Sequence, residues 1–139
     1  MTKFLCPMTD GGITKQFGGS HWGVDYGWVK TINAPVMAIA DGVVVDNFYS
    51  ASCGYSLVIK HPTEKGWRFA TFIHLNKAAE PKIGDNVKQG DVVGYRGNTG
   101  KSNGPHLHFG LTSETKKEYY WNIVKELAIN PHPLMCKSA

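Results

Sequence analysis

Glycine sets the first limit on this chain. Its 16 glycines break the apolar residues into short pieces. That pattern suits strands joined by many turns better than long helices, because glycine in a regular element costs backbone entropy. Val36-Met37-Ala38-Ile39, Asp41-Gly42 and Val43-Val44-Val45 together have the form of a hairpin turned at an Asp-Gly pair. Ser56 to Lys60 and Trp67 to His74 are rich in β-branched and aromatic residues and predict two further strands, with a turn through His61–Gly66 between them. Ile83 to Gly94 alternates short apolar pieces with turn formers, and Gly97 to Gly104 is a glycine-rich loop that is not a phosphate loop, because its Gly100-Lys101-Ser102 does not follow a glycine after four spacer residues in a strand–helix setting. The tail breaks the pattern. Tyr120, Ile123, Val124 and Leu127 fall at i, i+3, i+4, i+7 and predict an amphipathic helix over about 114–128, ended by Asn130-Pro131. The expected fold is mainly β with this C-terminal helix, in one domain over 1–139.

Composition narrows the function classes. The charged fraction is 19% and the hydrophobic fraction 42%, which excludes a disordered chain. A net charge of +4 is spread without basic blocks and without a nucleic-acid motif, so no nucleic-acid partner is expected. No apolar run is long enough to span a membrane. The three cysteines, Cys6, Cys53 and Cys136, are an odd set without close spacing, which argues against a disulfide framework or a cysteine zinc knot and leaves room for one bridge of unspecified pairing. The N-terminus lacks the apolar stretch of an export signal.

Chemistry concentrates in the histidines. His106 and His108 stand two apart, and in extended chain residues two apart share a face. His21 precedes Asp25 in a His-x-x-x-Asp pattern, and Gly23 lets the chain bend so that both side chains reach one ion. Zinc takes imidazole nitrogen and carboxylate oxygen, and a catalytic site keeps three protein ligands with water in the fourth position. His21, Asp25 and one of His106 or His108 would make such a set. His74 and the remaining histidine would then serve the water: peptide hydrolysis needs a base, a donor for the leaving amine and stabilisation of the oxyanion. His-Glu-x-x-His is absent. His61 before Pro62, and His132 between Pro131 and Pro133, are expected to be solvent-facing loop residues.

Three motifs then carry a resemblance: His21-Trp22-Gly23-Val24-Asp25, Phe72-Ile73-His74-Leu75 and Gly104-Pro105-His106-Leu107-His108-Phe109. With Ala34 to Gly42, Gly84 to Gly90 and Gly97-Asn98-Thr99-Gly100 between them, the chain resembles the lysostaphin-type metallopeptidases, peptidase family M23 with its LytM-like domain, over about 13–111. The resemblance implies an antiparallel, two-sheet, barrel-sandwich-like peptidase fold with a groove over zinc. It implies that His21, Asp25 and His108 bind Zn2+, that His106 is the general base, and that His74 orients the water or stabilises the oxyanion. The implied activity is endopeptidase cleavage of peptide cross-links in bacterial cell-wall peptidoglycan, at glycine bridges or stem-peptide bonds, by a monomer acting outside the cytoplasm. With no export signal in view, a phage lysin or virion-associated enzyme fits, as does a domain of a larger exported protein. Two departures stand out. Gly110 replaces the glutamate many members carry after the phenylalanine, and no tyrosine precedes His21; Tyr26 and Tyr95 are the candidates for an oxyanion hydroxyl. The competing expectations are a non-catalytic wall-binding or activator domain on the same fold, and a phosphocarrier resembling the sugar phosphotransferase IIA domains.

Overall fold

The computed structural model describes residues 4–8, 12–16, 18, 23–27, 33–64, 66–114 and 128–129. Ten strands follow one another there: β1 (Gly12–Lys15), β2 (Val24–Gly27), β3 (Pro35–Met37), β4 (Gly42–Ser50), β5 (Gly54–Thr63), β6 (Gly66–Leu75), β7 (Asn86–Val87), β8 (Val92–Tyr95), β9 (Leu107–Glu114) and β10 (Ala128–Ile129). Eight of them form one sheet in the order β1-β2-β9-β6-β5-β4-β7, with β10 added to β9; β3 and β8 form a second, two-stranded sheet. Every pairing is antiparallel. The mainly β, antiparallel, two-sheet expectation therefore holds.

The two predicted central strands are longer than the sequence suggested. Phe69 to Leu75 of β6 is buried at every position. A strand covered on both faces reads as a continuous apolar run, not as an alternation. Phe72 and Phe109 meet edge to face across β6 and β9, with ring centroids 5.1 Å apart. Around them Leu57, Ile59, Leu75, Leu107 and Leu111 are fully buried, and burying a side chain of this size stabilises the fold by about 1.5–3 kcal/mol.

Two expectations need correction. The Asp41-Gly42 hairpin does not form: β3 pairs with β8, and β4 pairs with β5 and β7. The reason lies in Ala38-Ile39-Ala40, which is buried and carries the chain from one sheet to the other. Its carbonyls and amides bond residues 90 and 91, with Ala38 N to Asp91 O and Gly90 N to Ala38 O both at 2.9 Å. His61 is not a solvent-facing loop residue either. It lies inside β5, fully buried, and its Nδ1 donates to the Asp41 carbonyl at 3.0 Å. Pro62 signals a turn, yet it sits beyond Lys60, the last residue of β5 paired with β4. On that side no ladder partner waits for its missing N–H.

The helix expected over 114–128 falls largely outside the described residues. Its two ends are strand, with Glu114 closing β9 and Ala128 opening β10 on Thr112. Asn130-Pro131 and His132 also lie outside them. Cys6 is disulfide-bonded and Cys53 is a free thiol.

His61 makes a measurable contribution to pH dependence. Burial pushes its imidazole below the ordinary 6.5, against the Asp41 carbonyl and the Asp41 charge, which act the other way. The unfolded chain therefore takes up a proton that the folded chain refuses. Stability is fully present above pH 6.5 and falls as the pH drops below it towards the depressed folded value, by at most about 1.4 kcal/mol per pH unit for one proton. Urea unfolding between pH 8 and pH 5 should show this slope, and His61→Gln should flatten it. An unchanged slope in the variant would remove His61 as its source.

Candidate metal and catalytic site

The site is assembled by strand register. Asp25 of β2 stands directly opposite His108 of β9, and directly opposed residues project from the same face of a sheet. Their side chains meet there, Asp25 Oδ1 lying 2.8 Å from His108 Nδ1. His106 precedes β9 by one residue and is tied to the loop before it, its N–H donating to Gly97 O at 3.1 Å. Two residues before His108, it turns to the same side, with Nε2 3.8 Å from Asp25 Oδ2. That gap is too wide for a hydrogen bond and wide enough for a bridging water.

His74 arrives by a different device. Between Tyr55↔Leu75 and Leu57↔Phe72, strand β6 has two residues, Ile73 and His74, opposite the single Ser56 of β5. This is a bulge, and bulges re-aim side chains. His74 takes φ 68°, the sole positive φ at a non-glycine among the described residues, a conformation that costs an ordinary residue about 1–3 kcal/mol. Phe72 faces the core, and regular alternation would return position 74 to it. The extra residue instead brings the His74 ring beside that of His106, with centroids 4.7 Å apart.

Gly23 shows why the first motif has glycine at its centre. A Cβ there would lie 2.5 Å from the Phe109 carbonyl oxygen and 2.8 Å from His108 Nε2. The His108 ring occupies the space a side chain would need. Gly23→Ala is expected to cost about 1–3 kcal/mol through overpacking and to weaken metal binding by displacing His108. Urea unfolding and a zinc titration test this together; unchanged values for both would show that the ring has room.

Asp25, His74, His106 and His108 line a pocket of about 570 Å³, with Lys15 and Lys101 on its exposed rim. Burial holds the His74 imidazole below the ordinary histidine value, and the neighbouring His106 and His108 push the same way; the Thr99 carbonyl and Asp25 oppose them. His21 lies outside the described residues. Those residues thus include two of the three expected ligands and do not by themselves enclose an ion. Asp25 and His108 suit zinc in chemistry and nearly in spacing. On bonds of about 2.0–2.2 Å, two ligands of one tetrahedral ion stand roughly 3.4 Å apart, so this pair needs only a small spread to share one.

Neither tyrosine candidate lines the pocket. Tyr26 is buried in the core, where burial raises its phenol to about 12. Tyr95 lies on β8 beneath the Lys77 ammonium, away from the histidines. Gly110 pairs with Thr71 on β6, outside the pocket. Sequence reasoning missed the residues that hold the rings: His74 Nδ1 lies 2.7 Å from the Thr99 carbonyl, and His106 Nδ1 lies 2.8 Å from the Gly104 carbonyl and 3.1 Å from Ser102 Oγ.

A family model described as peptidase family M23 matches residues 19–121, well over half the chain. The chain belongs to peptidase family M23. Among M23 relatives, it is 38% identical over 95 residues to the glycyl-glycine endopeptidase ALE-1 of Staphylococcus capitis, covering 66% of this chain and 24% of that protein. It is 36% identical over 90 residues to the peptidoglycan DD-endopeptidase ShyC of Vibrio cholerae, covering 65% and 19%. The solved structure of a zinc-containing peptidase from Vibrio cholerae matches with a TM-score of 0.66 and 29% identity, over 78% of this chain and 35% of that one. The chain spans about a quarter or less of the curated relatives it matches. M23 membership also displaces the phosphocarrier expectation.

Proposed function

We propose that the protein is a zinc-dependent endopeptidase that hydrolyses peptide cross-links of bacterial peptidoglycan, working as a monomer outside the cytoplasm. One observation carries the reading: an aspartate and a histidine from strands distant in sequence meet at 2.8 Å in a pocket that two further histidines line. The similarity to peptidoglycan and glycyl-glycine endopeptidases supports the substrate class.

His21, Asp25 and His108 would hold the ion. Bound there, zinc would supply Lewis acidity, lowering the pKa of a water and polarising the scissile carbonyl. The chain's own residues do the rest. Oxygen acceptors at Nδ1 leave His106 with its lone pair on Nε2, on the side of Asp25. That nitrogen takes the water proton and returns it to the leaving amine. His74 is held in the same way by the Thr99 carbonyl. Its neutral Nε2 is then an acceptor, which suits orienting the water; donating to an oxyanion would require the imidazolium form, which burial opposes.

The test is digestion of purified sacculi, one set cross-linked through glycine bridges and one through direct stem-peptide bonds, with mass analysis of the released fragments. New peptide termini with intact glycan are expected from one set, lost on EDTA treatment and restored by zinc. Zinc-loaded protein that leaves both sets intact, or that cuts only glycan, would overturn the proposal.

A further inference from the structure

We propose that Thr99 and Ser102 are positioning residues that fix the tautomer of both pocket histidines; the kinetic part of this inference rests on the hydrolase reading above. A carbonyl oxygen only accepts hydrogen bonds. A ring nitrogen 2.7 Å from Thr99 O or 2.8 Å from Gly104 O therefore carries the hydrogen. In their neutral forms His74 and His106 thus both bear it on Nδ1 and keep the Nε2 lone pair. The opposite tautomer would put a lone pair against each carbonyl and a hydrogen where a base needs an acceptor.

One loop supplies both carbonyls, and its side chains hold it in place. The Thr99 hydroxyl donates to Leu75 O at the end of β6 and accepts from Tyr55 N of β5 at 3.1 Å. It thus ties the loop to both strands that flank the His74 bulge. The loop also seats on the β4–β5 turn, Lys101 N donating to Ser52 O at 3.0 Å, and the same turn holds the bulge of β6, His74 N donating to Cys53 O at 2.8 Å. Gly54 and Gly100, with φ 68° and 75°, allow this contact, since a Cβ on either would run into the other segment. At the far end of the loop, Ser102 Oγ donates to Gly104 O at 2.9 Å. Its lone pairs are then free to share the His106 Nδ1 hydrogen. Ser102 lines the pocket beside His106, and Thr99 does not. Each acts through a ring it holds.

The direct test is long-range proton–nitrogen NMR of the imidazoles in nitrogen-15-labelled full chain, zinc-loaded and zinc-free, at a pH where they are neutral. The wild-type protein is expected to show Nδ1-protonated His74 and His106. Thr99→Val, which removes the hydroxyl at nearly constant shape, and Ser102→Ala, at a half-buried position lining the pocket, should each shift one ring towards a tautomer mixture. The same variants should lose roughly 10- to 100-fold in kcat, the scale on which misplaced groups act, with little change in KM or zinc content. Thr99→Ser should restore both spectrum and kcat. Either ring protonated on Nε2 in the wild-type protein would overturn the inference, as would variants with wild-type spectra and turnover. The spectra need no substrate. If the tautomers behave as stated while no peptidoglycan is cut, the positioning role stands and the hydrolase reading falls.

Discussion

His108→Ala is expected to lose bound zinc and peptidoglycan hydrolysis together. His108 stands opposite Asp25 on the adjoining strand, 2.8 Å from its carboxylate. Removing the imidazole takes away one of three proposed ligands and the group that orients a second. Loss of a residue outside the coordination shell already costs a zinc enzyme 10–100-fold in affinity or activity, so loss of a ligand should exceed roughly 100-fold. Elemental analysis of the purified variant, beside fragment release from sacculi, separates the effects. A variant that still binds one zinc per chain would take His108 out of the ligand set. So would one that loses turnover with full metal content.

His106→Ala should divide those two readouts. Its Nε2 is 3.8 Å from Asp25 Oδ2 and its Nδ1 is held by Gly104 and Ser102. As the proposed general base it would touch the water without holding the metal. The variant should keep its zinc and its unfolding midpoint while kcat falls by about 10²–10⁴, the usual worth of a positioned acid–base group. His74→Ala, which removes the proposed orienting group, should lose less. If His106→Ala turns over at the wild-type rate, the base lies elsewhere; if it loses zinc, His106 is a ligand and the assignment of the pair must be exchanged.

The parts of this site that depend on periodicity were legible in the sequence. The two-residue spacing of His106 and His108 predicts a shared face, and both do lie against Asp25. The aromatic and β-branched runs of β5 and β6 predict strands, because such side chains fill a pleated, covered surface. What depends on long-range packing was not legible. Asp41-Gly42 has hairpin chemistry, but Ala38 to Ala40 is drawn into the core and the chain changes sheets there. Pro62 made His61 look like a loop residue, because the sequence does not show where β4 stops. The His74 bulge leaves no mark, since Phe72-Ile73-His74-Leu75 reads as regular strand. Thr99 and Gly104 act on the rings through carbonyls, which every residue carries; a sequence cannot say which carbonyl meets a ring.

The position of β9 in the large sheet bears on when activity can arise. It is inserted between β2 and β6, so it bonds a partner near the start of the chain and another near the middle. During synthesis the ribosome releases it after both. A nascent or truncated chain that ends before His106 has Asp25 and His74 but neither histidine of the pair, and so lacks both the proposed base and a proposed metal ligand. The closing of so distant a pairing is also slow compared with local structure. Hydrolytic capacity built on the proposed site would therefore arrive late and all at once, and the cell that makes this polypeptide would be spared a half-built lytic intermediate.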